Sequence, residues 1–130
     1  MGVMTPMEML AEWERATAGE TPTQPELLSY ETRVLRAALL REEFREAMAE
    51  IGRGRDLQAL AKELADLVYV CFGTAVLAGI DLDRVLAEVH RSNMSKVGPD
   101  GRIEKRADGK VLKGPNYAPP NLSWIPAGEA

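Results

Sequence analysis

A chain of 130 residues with 45% apolar and 28% charged residues is the size and composition of one soluble domain with one core. Its net charge of −4 argues against general nucleic-acid binding, and its single cysteine, Cys71, excludes an internal disulfide framework. Few aromatics and many Ala and Leu favour helices over a β-sandwich.

Chain order gives four helices. In "TPMEMLAEWERATAG", Thr5 is placed to cap, Pro6 suits the first helical position, Glu8 closes a capping box, and Gly19 ends the helix. A Pro-rich connection, "ETPTQPE", follows. A long helix is expected from about Glu26 to Glu50, stopped by Gly52 in "IGRGRD". Asp56 can cap a third helix from about Leu57 to Ala78, ended by Gly79. Asp81 can cap a fourth from about Leu82 to Met94.

After Met94 the texture changes. "VGPDGR" reads as a turn, Asp108-Gly109 sits between two short runs as a candidate hairpin, and "PNYAPPNLSWI" reads as extended, with Tyr117 and Trp124 as docking anchors. The expected architecture is all-α: an antiparallel four-helix bundle, with a helical domain over residues 1–96 and a basic, Pro-rich extension over residues 97–130 packed on it. The N-terminus lacks a basic region followed by an apolar one, so no secretory signal is expected and a cytoplasmic location is. The longest uncharged helical run, Leu67 to Ile80, has 14 residues, short of the roughly 20 of a membrane span. Cys71 lies in this run and reads as a small core residue. Leu67, Val68, Val70, Phe72, Val76 and Leu77 point in nearly every direction, which one small bundle has difficulty burying; a homo-oligomer, either a dimer or a dimer of dimers, is expected.

Charge is unevenly spread. Residues 1–90 hold 9 basic and 16 acidic side chains, and residues 91–113 hold 7 basic and 3 acidic. An acidic helical body followed by a basic tail suits a cation bound by one and an anion bound by the other.

The second helix carries Glu42, Glu43, Glu46 and Glu50. At about 100° per residue all four fall on about one quarter of the circumference, roughly opposite Leu40, Phe44, Met48 and Ile51. That alone describes a solvated acidic face. Leu35 and Leu39, however, project in line with the carboxylates, so the acidic face continues a leucine face. In the third helix Glu63 and Asp66 stand three apart, on the face of Leu60, Leu67 and Val70. Carboxylates there are costly unless paired. Salt bridges to arginines of a neighbouring helix, or exposure near the helix start, are the structural alternatives. Two antiparallel helices presenting these pairs to one another would instead gather four or five carboxylates, whose repulsion a multivalent cation relieves. Oxygen donors without His or Cys select Mg²⁺, with Mn²⁺ as a substitute, and Mg²⁺ is usually completed by substrate phosphates. A di-iron site would need Glu-x-x-His on two helices, and the one histidine, His90, lies in "EVH". His90 itself reads as a structural or surface residue.

The pair E-x-x-E (Glu43, Glu46, preceded by Glu42) followed by E-x-x-D (Glu63, Asp66) and "HRSNMSK" resembles the all-α nucleoside triphosphate pyrophosphohydrolases, which include the MazG proteins, the dimeric dUTPases and phosphoribosyl-ATP pyrophosphohydrolase. The resemblance covers roughly residues 28–96, and the tail looks like that of a MazG-like subgroup. It implies Mg²⁺-dependent cleavage between the α and β phosphates, giving a monophosphate and pyrophosphate. By matching positions Glu43, Glu46, Glu63 and Asp66 would hold metal, and Glu42, Glu43 and Glu46 would serve catalysis, with Glu42 as a further ligand or the base. Asn93 and Lys96 match positions that meet substrate. Lys96, Arg102, Lys105, Lys110 and Lys113 are candidates for the β and γ phosphates, each alone being more often a solvated charge. Trp13 and Tyr117 are aromatic enough to stack on a base, although packing is the simpler reading of both. The expected partner is a nucleoside triphosphate, with dUTP favoured and a housecleaning role. Phosphoribosyl-ATP hydrolysis is the alternative, and a non-catalytic helical interaction protein is the rival of another class. Neither nucleic acid nor membrane is expected as a partner.

Overall fold

The computed structural model describes residues 2–128. It contains four helices, α1 (Pro6–Ala18), α2 (Tyr30–Arg53), α3 (Leu57–Leu77) and α4 (Leu82–Met94), and no strand among the described residues, so the all-α class holds. The chain divides into two compact units, Met1–Leu82 with Ala127–Ala130, and Asp83–Pro126. Among the described residues no single helix is long and apolar enough to cross a membrane.

Local chemistry sets the ends of each element. The capping box on α1 forms as expected: Thr5 Oγ1 accepts from the Glu8 N–H at 3.2 Å, and the Thr5 N–H donates to Glu8 Oε1 at 3.3 Å. α2 begins four residues later than the pattern suggested. Ser29 is its cap, accepting from the Thr32 N–H at 3.2 Å. The residues before it are held elsewhere, because the Glu26 N–H donates to the Ala78 carbonyl at 2.9 Å, at the end of α3. Gly79 permits this strap: at its φ of 67°, a Cβ there would lie 2.2 Å from the Gln24 carbonyl oxygen. α2 also runs through Gly52 and stops at Gly54, which takes the left-handed conformation (φ 62°) and donates to the Glu50 carbonyl. Asp56 then caps α3, accepting from the Ala59 N–H at 3.0 Å.

In the first unit α1 and α2 both pack on α3. Leu10, Phe72 and Val76 form the core, joined by Met7 and Leu82. Beside this small core lies a buried ion pair. The Arg36 guanidinium donates to Glu14 Oε1 at 3.3 Å, to the Val70 carbonyl at 3.1 Å and to Thr74 Oγ1 at 3.0 Å, which ties all three helices together. Gly73 sits in the middle of α3 because the pair needs the space: a Cβ there would come within 2.6 Å of both Arg36 Nη2 and Glu14 Oε1. Residue 36 of α2 meets residues 70 and 74 of α3, and residues 43 and 46 meet 63 and 66, so α2 runs antiparallel to α3.

The second unit is α4 with the tail laid along it. Ser92 is buried and its hydroxyl donates to the Ala118 carbonyl at 2.8 Å, while Ser95 Oγ accepts from the Ala118 N–H at 2.9 Å. Arg91 donates to the Pro119 carbonyl, and Glu88 accepts from both Arg91 and the Asn121 N–H. Those donors, Arg91 first, hold the Glu88 carboxyl at about 2. The Arg84 guanidinium lies 4.0 Å over the Trp124 ring, the anchoring expected of that tryptophan. Around Gly109 the candidate hairpin is a single antiparallel bridge between Lys105 and Val111.

Arg36→Met is expected to destabilise the protein by about 3–5 kcal/mol, because it leaves the Glu14 charge buried without a counter-charge. Gly73→Ala should also lower the melting temperature, against the roughly 0.5–1 kcal/mol that alanine gains over glycine in a helix. Urea unfolding of both variants checks this; two variants as stable as the wild type would mean that the ion pair does not tie the helices.

Candidate metal centre

α2 and α3 bring Glu43, Glu46, Glu63 and Asp66 together, with one carboxylate oxygen from each within 4.8 Å of all the others. The antiparallel register set by Arg36 continues seven to ten residues along α2, where Glu43 and Glu46 meet Glu63 and Asp66. Ala47, next to Glu46, is buried. The apolar residues of α2 point the other way: Phe44, Met48 and Ile51 are exposed. A solvated acidic stripe would have the opposite orientation. Glu43 and Glu46 meet the neighbouring helix, while Phe44, Met48 and Ile51 face out.

The electrostatics fit a cation. Glu43 Oε2 and Glu63 Oε2 are buried without any hydrogen-bond partner. An orphaned carboxylate oxygen is costly in the absence of a counter-charge. Glu46 is pushed up to about 7, by its hydrogen bond to Glu63, by desolvation, and by the charges of Glu43 and Glu63. The cation that answers this charge is Lys62, which spacing arguments had not singled out. It donates to Asp66 at 2.7 Å and Glu63 at 3.5 Å, and both carboxylates raise its pKa. It is a solvated side chain of the same helix, so the pair adds little stability. Among the described residues no arginine of a neighbouring helix forms a salt bridge with Glu63 or Asp66; both pair with Lys62 of their own helix. Four oxygen donors with two orphaned oxygens fit a hard divalent cation.

The other sequence-predicted residues fall as follows. Glu42 is exposed and stands outside the four-carboxylate group. Glu50 pairs with Arg53. In the second unit Lys96 donates to Asn93 Oδ1 at 3.0 Å and lies 5.9 Å from the centre of the Tyr117 ring, with Lys113 Nζ 4.9 Å from the same ring. Lys110 and His90 are exposed. Cys71 is half-buried.

Residues 10–93 match the family model described as phosphoribosyl-ATP pyrophosphohydrolase. That is well over half of the chain, and it spans both helices of the carboxylate group. The chain belongs to the phosphoribosyl-ATP pyrophosphohydrolase family. No curated protein matches it. As a member of this family the protein is a hydrolase acting on phosphoric anhydrides, of the MazG-like all-α superfamily, and its reading as a non-catalytic interaction protein is set aside. The match starts inside α1, earlier than the motifs alone reached, and stops before the tail. The family depends on divalent metal, in agreement with the carboxylate group.

Glu46 gives the metal-free protein a pH dependence. Its folded-state pKa of about 7 lies above the ordinary 4.5, so between those values the folded state binds more protons than the unfolded chain. Stability in EDTA is therefore expected to fall as pH rises from about 4.5 to about 7, and to level off above. Glu46→Gln should flatten this fall. Melting temperatures across that window decide it; an equal slope in the variant would contradict the assignment.

Proposed function

We propose that the protein is a Mg²⁺-dependent pyrophosphohydrolase that splits the α–β anhydride of its nucleotide, adding water to give a monophosphate and pyrophosphate, with phosphoribosyl-ATP as its substrate. The observation that carries the reaction type is the convergence of Glu43, Glu46, Glu63 and Asp66 around two orphaned oxygens. The choice of substrate follows the family match, which supports phosphoribosyl-ATP and lends nothing to the dUTP expected from the sequence.

In this reading Glu43, Glu46, Glu63 and Asp66 hold the cation. Bound Mg²⁺, for which Mn²⁺ would substitute, supplies charge to neutralise the phosphates and stabilise the leaving pyrophosphate. Glu42, exposed beside Glu43, would serve as a further ligand or as the general base that accepts a proton from water. Asn93 positions the Lys96 ammonium, and Lys96, Lys110 and Lys113 supply positive charge for the β and γ phosphates. Tyr117 gathers two of these ammonium groups on one ring.

The same reading includes a homo-oligomer. Besides the outward α2 face, Leu57, Leu64 and Val68 of α3 are exposed. Leaving such side chains uncovered forfeits up to roughly 1.5–3 kcal/mol each. A second copy presenting the same faces would cover them. Light scattering should report at least a dimer at micromolar concentration, and a 14.3 kDa species alone would contradict it.

Product analysis tests the chemistry. With Mg²⁺ the protein should release pyrophosphate and no phosphate, with its highest kcat/KM on phosphoribosyl-ATP among a panel including dUTP, dTTP, dCTP and UTP; EDTA should abolish release. Glu63→Gln and Asp66→Asn should each lower kcat by about 10²–10³, while Glu50→Gln, already paired with Arg53, should change it little. Phosphate as the inorganic product, or full activity in EDTA, would sink the mechanism. A highest kcat/KM on dUTP would overturn the substrate assignment alone.

A further inference from the structure

We infer that Trp13 and Tyr69 form a platform on which the aromatic base of the nucleotide stacks; this rests on the proposed pyrophosphohydrolase reading and assigns the other end of the same substrate. Tyr69 follows Asp66 by three residues on α3, so its side chain leaves the helix one turn from the carboxylate group, with a Cβ separation of about 5–6 Å. Trp13 reaches it from α1. The two ring centroids are 6.1 Å apart and the planes meet at 65°, an edge-to-face pair.

Both rings are open to solvent. Trp13 is 50% exposed and Tyr69 39%, values out of keeping with an aromatic pair that serves only as core. Yet the backbone beneath Trp13 is fixed. Leu10, one turn earlier, is in the core, and Glu14, the next residue, is locked on Arg36. A large flat ring is thus held in place with much of its surface uncovered, beside a site built for phosphate-bound cations. The edge contact from one ring orients the other and leaves stacking surface free. Base–aromatic stacking needs only a π-face, so this arrangement accepts the ring of a nucleotide whose phosphates lie toward Glu63 and Asp66. Platform and carboxylates belong to one compact unit, so no motion between units is needed to present both. The Tyr117 ring does not compete for this role, because it already carries the ammonium groups of Lys96 and Lys113.

The chain has two tryptophans, so Trp124→Phe leaves Trp13 as the sole indole reporter. In that variant, with Mg²⁺, AMP should quench Trp13 emission and bind about tenfold tighter than ribose 5-phosphate. In the otherwise wild-type enzyme, Trp13→Ala should raise KM for the cleaved nucleotide about tenfold with kcat changed less than about threefold, and Trp13→Phe should restore most of the loss. Inhibition by inorganic tripolyphosphate, which has no base, should be unchanged in Trp13→Ala. Equal binding of AMP and ribose 5-phosphate, unaltered Trp13 emission, or equally weakened tripolyphosphate inhibition would overturn the platform. So would a change of oligomer mass in Trp13→Ala, since Trp13 would then be an interface residue. Absence of pyrophosphate release from the wild type would instead count against the reaction, and the fluorescence titration reads stacking independently of it.

Discussion

The Arg36 guanidinium is the contact on which the placement of the other parts depends. Buried beside a core of only a few apolar side chains, it binds α1 through Glu14 and α3 through the Val70 carbonyl and Thr74. Its three partners fix the register of α2 on α3, and that register sets Glu43 and Glu46 opposite Glu63 and Asp66. The same contact fixes the position of α1 at Glu14 and so of its neighbour Trp13. A buried ion pair is weak evidence for stability in itself, since an apolar trio of the same shape can be as stable. Here its consequence is specificity of alignment. An apolar contact tolerates sliding, whereas a guanidinium with a carboxylate, a carbonyl and a hydroxyl at hydrogen-bond distance does not.

The alignment comes at the expense of electrostatic ease one stretch further along the helices. Four carboxylates meet, Glu46 is held up to about 7, and two oxygens have no donor. Lys62 answers part of the charge from the solvent side. The metal-free protein is thus loaded with repulsion that a divalent cation removes, and binding free energy of the cation becomes folding free energy. In the proposed reading, function and instability share the same four residues, so neutral amide replacements should be harmless or favourable to the metal-free fold while damaging to catalysis.

Much of this was legible in the sequence, where the chemistry is local. Thr5, Pro6 and Glu8 announce the start of α1, and Asp56 the start of α3, because caps act within three residues. The carboxylate spacing was legible because helical geometry converts three residues into one face. What the sequence hid is set by distant partners. Glu14 and Arg36 lie 22 positions apart on separate helices, and no spacing rule joins them. The one hint is Gly73, a glycine in the middle of an apolar helix, which marks a close approach. The start of α2 was misplaced because residues 24–26 are captured by the end of α3, a tertiary contact that overrides helix propensity. The orientation of α2 was ambiguous between two faces, one acidic and one apolar. The sequence hint was the line of Leu35 and Leu39, and of these Leu35 is itself exposed, so the hint pointed to the right face without those leucines forming a core. In the second unit the serines of "HRSNMSK" bind the tail backbone, a role invisible until residue 118 is brought back to 92.

Metal binding at the four carboxylates can be read without turnover. In a titration of the protein with Mn²⁺ followed by electron paramagnetic resonance, the free-ion signal should be suppressed by the wild type until its sites fill, and restored by Glu63→Gln at the same concentration. Paramagnetic broadening of backbone resonances should centre on residues 43–46 and 63–66. A free-ion signal undiminished by the wild type, or suppressed equally by the variant, would contradict the assignment of this carboxylate group as the metal centre.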